Sequence, residues 1–204
     1  MKKANLSKMI LTALFAAIII VMALTPLGYL KIGLLEITLI PIPVAISAIV
    51  LGPAIGAGMG LVFGVTSFLQ CVLGLSPFGA ALMGMNLAFT IVLCIVPRVL
   101  DGWLTGLIFK ALSKIDKTKW LSLIAAGFCG AALNTLFFMS GLYLLFAKNP
   151  SFISTYGSYT FISIFAAMAG VNGLVEILAC TIVAPPVSKA LLHYQNKTKI
   201  KKEA

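Results

Sequence analysis

Along most of this chain hydrophobic positions do not alternate with polar ones; they run on. Six stretches read as membrane-crossing helices, for which about 20 apolar residues suffice. They are residues 6–24, 38–51, 54–73, a span within 86–112, 120–146 and 159–192. The second is short, with Pro41 and Pro43 near its start, and Pro185 and Pro186 end or kink the sixth. Residues 76–97 also fit a re-entrant loop and short helix, with the fourth span then starting near Pro97. Backbone of that kind survives at membrane depth only when it is buried in protein or lines a cavity. The pattern predicts an all-α membrane protein: a six-transmembrane-helix bundle forming a single integral domain over 1–204, with a basic tail from about 195.

Composition agrees. The chain is 61% hydrophobic and 10% charged, against about 25% charged in soluble domains, and a small soluble fold could not hide so much apolar surface. The apolar run from Met9 to Leu24 is long for a signal peptide and is followed by no small-x-small cleavage site, so the first span is expected to stay in the protein. The net charge of +10 would suggest nucleic acid in a soluble protein, but here the lysines mark topology. Lys2, Lys3 and Lys8 precede the first span. Lys110, Lys114, Lys117 and Lys119 lie between the fourth and fifth, and Lys189, Lys197, Lys199, Lys201 and Lys202 follow the core of the sixth. Six spans put all of these on one side, leaving Lys31 and Lys148 on the other, so both termini are expected in the cytoplasm. The connections 25–36, 74–81 and 148–158 then face outward, where a lid over an outward-facing pocket would lie.

The segment "LCIVPRVLDGW" breaks the apolar pattern with Arg98 and Asp101, three residues apart on one helix face. Asn134 interrupts the fifth span; Asn172 and Glu176, four apart, share a face of the sixth. Arg98 lies 12 residues from Lys110, about 18 Å along a helix, and Glu176, Asn134 and Asn172 lie about 20, 23 and 26 Å from their nearest cytoplasmic lysines. In a core about 30 Å thick these four occupy the outer half, and Asp101 comes out deeper, at about 14 Å. Two readings fit. One is a structural network with Arg98 neutralised by Asp101 or Glu176. The other is a polar pocket in which Arg98, Asn134, Asn172 and Glu176 hold a small solute, the arginine fork gripping a carboxylate, with Asp101 as a structural counter-charge below.

The chain contains no G-x-x-x-x-G-K-[ST], no H-E-x-x-H and no G-x-S-x-G with a partner histidine in the membrane, so no enzyme activity is expected. The only histidine, His193, sits near the basic C-terminus, and Cys71, Cys94, Cys129 and Cys180 stand singly, which reads as packing rather than a metal or disulfide framework. Small residues recur every four positions at Ala13 and Ala17, at Gly52, Gly56, Gly60 and Gly64, and at Gly102 and Gly106, a spacing that lets helix backbones approach closely.

The stretches "LTALFAAI", "ITLIPIPVAISAIVLGPAIGAGMGLVFG", "VPRVLDGWLTGLIFKAL" and "VNGLVEILA", in this order over nearly the whole chain, resemble the substrate-binding S-components of energy-coupling-factor (ECF) vitamin transporters. The resemblance implies six helices, cytoplasmic termini, and a high-affinity pocket for one vitamin or precursor closed by outer loops. It also implies a transmembrane T-component and two cytoplasmic ATPases that carry ATP-Mg, this chain binding no cofactor itself. Ala13 and Ala17 match the family's alanine motif that docks on the T-component. "SFLQCVLGLSPFGA" and "VPRVLDGWLTGLIFKALSK" most resemble pantothenate-specific members. Arg98 would then pair with the vitamin's carboxylate and the asparagines with its amide and hydroxyls, while Glu176 accepts from a hydroxyl or holds Arg98. Riboflavin or folate would favour more aromatic surface than Trp103 offers near the cluster, though Phe78, Tyr156 and Tyr159 can add to it. Another vitamin or precursor such as riboflavin, folate or hydroxymethylpyrimidine, and a non-transporting membrane scaffold, are the alternatives.

Overall fold

A computed structural model describes residues 3–32, 35–156 and 170–203. Helix α1 (Lys3–Leu24) leads into a two-stranded antiparallel hairpin, β1 (Tyr29–Ile32) and β2 (Leu35–Thr38). There follow α2 (Pro41–Leu51), α3 (Pro53–Val72), α4 (Pro77–Met85), α5 (Leu87–Leu112), α6 (Trp120–Phe146), α7 (Pro150–Tyr156) and α8 (Gly170–Glu203). Five of the described helices are long and apolar enough to cross a membrane: α1 from Leu6, α3, α5, α6, and α8 over Asn172–Gln195. The remaining span expected from sequence is α2. Its 11 residues rise about 16 Å, roughly half a bilayer core, and nearly all of them are buried. Prolines open it, and Gly52, at φ 100°, ends it in a conformation that side chains rarely adopt. Residues 157–169, the start of the expected sixth span, lie outside the described residues.

The tightest contact in the bundle is between α3 and α5. A Cβ on Gly64 would stand 2.8 Å from the Cys94 carbonyl oxygen, and one on Gly56 or Gly60 would be far inside contact with that of Gly102 or Arg98. The glycine stripe therefore lays one backbone directly on the other, and Gly102 returns the contact. Gly52 belongs to the turn instead and meets nothing. α5 runs unbroken through Pro97, so the reading in which a helix begins at that proline does not hold. Asn86 caps its start, its Oδ1 accepting from the Phe89 N–H at 3.0 Å.

Two apolar clusters fill the bundle. The larger, including Ile19, Val44, Phe63, Leu123 and Cys180, joins α1, α2, α3, α6 and α8. The smaller, with Leu82, Leu93, Met139, Phe146 and Phe152, packs α4 and α7 over one end of α5 and α6. Phe15 and Ile19 are the buried face of α1, whereas Ala13 and Ala17 lie on its exposed face beside Leu14 and Ile18. At the lysine-bearing end, Asp116 shapes the α5–α6 turn by accepting from the N–H and hydroxyl of both Thr118 and Ser122. These bonds, the Ser122 N–H foremost, hold its carboxyl down at about 2. Nearby, Lys189 Nζ sits 3.8 Å from the centre of the Trp120 ring.

Gly60→Ala is expected to destabilise the protein by about 1–3 kcal/mol through overpacking. Gly58→Ala, with nothing within 4 Å, should leave the thermal unfolding midpoint in detergent unchanged.

Candidate functional site

Pro97 has no N–H, so the carbonyl of Leu93, four residues earlier, loses its helical donor. Arg98 supplies a replacement, its Nη1 donating to the Leu93 oxygen at 2.6 Å. Side chains on a helix lean toward its N-terminus, and this bond draws the guanidinium along α5 toward the end where the hairpin lies. There it stacks over Phe138 of α6 at 4.4 Å and faces Phe63 of α3 at 5.3 Å. Arg98 is 8% exposed, and its Nε has no hydrogen-bond partner among the described residues.

Asn134 lies one turn before Phe138 on the same face of α6. It is buried, and its Oδ1 is unpartnered among the described residues. Asn172, on α8, likewise has a buried, unpartnered Oδ1. One turn further along α8, Glu176 is engaged: its Oε1 accepts from the Thr38 N–H at 2.9 Å, fastening β2 to α8. The Arg98 charge acts on both Glu176 and Asp101, but among the described residues it makes no ion pair with either. Asp101 is 1% exposed and accepts from the Thr105 hydroxyl at 3.2 Å.

The hairpin replaces the simple connection that the sequence pattern suggests over 25–36, and Thr38 ends a strand where that pattern starts a helix. The signal was the alternation of "YLKI" and "LEIT" on either side of Gly33. Phe63 and Phe138 were also missed, being lost in the general apolarity. Trp103, proposed as the aromatic neighbour, is instead 44% exposed on the bundle surface. Phe78 packs against the smaller apolar cluster, while Tyr159 and the Tyr156 side chain lie outside the described residues.

Three helices of a membrane bundle thus carry buried polar groups without partners among the described residues: the guanidinium of Arg98, set against the rings of Phe63 and Phe138, and the amide oxygens of Asn134 and Asn172. The hairpin is fastened to α8 one turn beyond Asn172. Such a set defines a candidate site. Chemically it can hold a small anionic solute with hydrogen-bonding groups of its own. Residues 7–188 match the model of the family described as "ECF transporter, substrate-specific component". The chain belongs to this family and is a multi-pass membrane protein, the substrate-binding component of a transporter rather than an enzyme. It is 26% identical over 214 aligned residues to the pantothenic acid transporter PanT of Lactococcus lactis subsp. cremoris strain MG1363, covering 97% of this chain and 100% of that protein.

Arg98→Ala strands the buried Leu93 carbonyl, which is expected to cost about 1–3 kcal/mol. Adding Pro97→Ala returns a backbone N–H to that oxygen, so the double variant should melt at a higher temperature than Arg98→Ala alone.

Proposed function

We propose that this chain is the pantothenate-binding subunit of an ATP-driven ECF importer. The observation that carries the reading is the set of buried polar atoms without partners among the described residues on three helices: Arg98 Nε, Asn134 Oδ1 and Asn172 Oδ1. Buried polar groups are almost always hydrogen-bonded, so such a set is complementary to something that enters. Pantothenate carries a carboxylate for the arginine, and an amide N–H and two hydroxyls for the asparagine oxygens. The similarity to a pantothenic acid transporter adds support.

In this reading both termini and the lysine clusters face the cytoplasm, and the pocket opens outward at the hairpin end. Arg98, Asn134 and Asn172 contact the vitamin. Glu176 borders the site and holds the hairpin, and Asp101 offsets the Arg98 charge from below. Ala13 and Ala17 keep the exposed face of α1 flat for close contact with the T-component, and two partner ATPases carry the ATP-Mg.

Mass spectrometry of the purified protein, without ATP, is expected to find bound pantothenate. Direct titration should show Arg98→Ala losing affinity at least tenfold, consistent with a lost charge-assisted bond. Unchanged affinity in that variant would remove the arginine from the site. Ala13→Trp is expected to abolish co-purification with the T-component and ATPases while leaving vitamin affinity intact.

A further inference from the structure

Resting on the pantothenate reading, we infer that Tyr29 of the hairpin is the second donor to the substrate carboxylate, opposite Arg98. The hairpin's register puts Tyr29 directly across from Thr38. Next to this pair the Leu39 N–H bonds to the Gly28 carbonyl at 3.0 Å. Tyr29 and Thr38 are therefore a non-hydrogen-bonded pair, whose main-chain N–H groups point out of the hairpin and whose side chains lie close on one face. The outward Thr38 N–H is the one that Glu176 holds.

With the strand fixed this way, the Tyr29 ring packs against the larger apolar cluster and its hydroxyl is buried. Ser67, Cys71 and Cys94 lie in the neighbourhood of that hydroxyl, and the Arg98 charge acts on it. Ser67 does not reach hydrogen-bonding geometry, and the oxygen has no partner among the described residues. A phenylalanine would fill the same volume without burying an unsatisfied group. Burial pushes the phenol above its usual range, so it keeps its proton and remains a donor at neutral pH.

Arg98 Nε is a donor too, and equally unpartnered among the described residues. Arg98 faces Phe63 of the same apolar cluster that the Tyr29 ring packs against. Two buried donors in one neighbourhood call for an acceptor, and a carboxylate offers one oxygen to each. The two stand on different parts of the fold, Arg98 on α5 and Tyr29 on β1. A carboxylate bridging them binds the hairpin to the bundle at a second point, in addition to the Glu176–Thr38 bond.

The test uses the full chain in nanodiscs, with equilibrium binding of radiolabelled pantothenate and of panthenol, its uncharged alcohol analogue. Tyr29→Phe is expected to weaken pantothenate binding by about tenfold to a hundredfold, the range for a hydrogen bond to a charged group. Panthenol binding should be the same in wild type and variant, and ligand-free thermal stability should hold or rise. Pantothenate affinity within twofold of wild type would overturn the inference. So would an equal loss for both ligands, or a drop in ligand-free stability, which would show the hydroxyl already partnered. Absence of pantothenate binding by the wild-type chain would overturn the substrate reading itself and this inference with it, and it is seen before any variant is made.

Discussion

In a bilayer core a backbone carbonyl has no water to turn to, and every helix must satisfy its own. Pro97 breaks that rule at one point in α5, and the guanidinium of Arg98 repairs it. Much of the site follows from the repair. Bonding to Leu93 draws the side chain along its own helix, and the rings of Phe138 and Phe63 lie against it. The main chain at Arg98 is held as firmly, pressed against Gly60 of α3. The cation thus sits in a fixed position with one donor unused among the described residues, the kind of preorganisation that lowers the cost of binding.

The hairpin meets the same constraint differently. A two-stranded ribbon has two open edges, which are costly away from water. Here one outward N–H is taken by Glu176, and Gly28 tucks against the Met22 carbonyl, where a Cβ would collide. Gln70 Nε2 donates to the Ala23 carbonyl, tying the end of α3 to the end of α1 from which the hairpin departs. The short α2 belongs to this arrangement. It begins three residues after β2 ends, and its own apolar surface is enclosed by neighbours.

Length and apolarity were enough to read most helices from sequence: α6 matches the predicted 120–146, α3 is shifted by one residue at each end, and α5 falls within the predicted 86–112. The glycine stripe likewise announced its packing role, since four-residue spacing on a helix has few other uses. Polar interruptions at Arg98, Asn134, Asn172 and Glu176 stood out because intramembrane polarity is rare. What stayed hidden was direction. Nothing in the order of residues says that Glu176 would take a main-chain N–H from a distant strand, or that Trp103 would face outward while Phe138 faces the arginine. The hairpin was masked because its short alternation is buried in a chain where apolar residues predominate, so a period of two carried little contrast.

Glu176 holds residue 38 by its peptide N–H, and the threonine hydroxyl reaches the same carboxylate. The two donors answer to different properties of the residue. Any amino acid but an imino acid supplies the first, and only a side chain with a donor of its own supplies the second. The fastening therefore weakens by degrees: a serine at position 38 keeps both bonds, a valine keeps one, and a proline keeps neither.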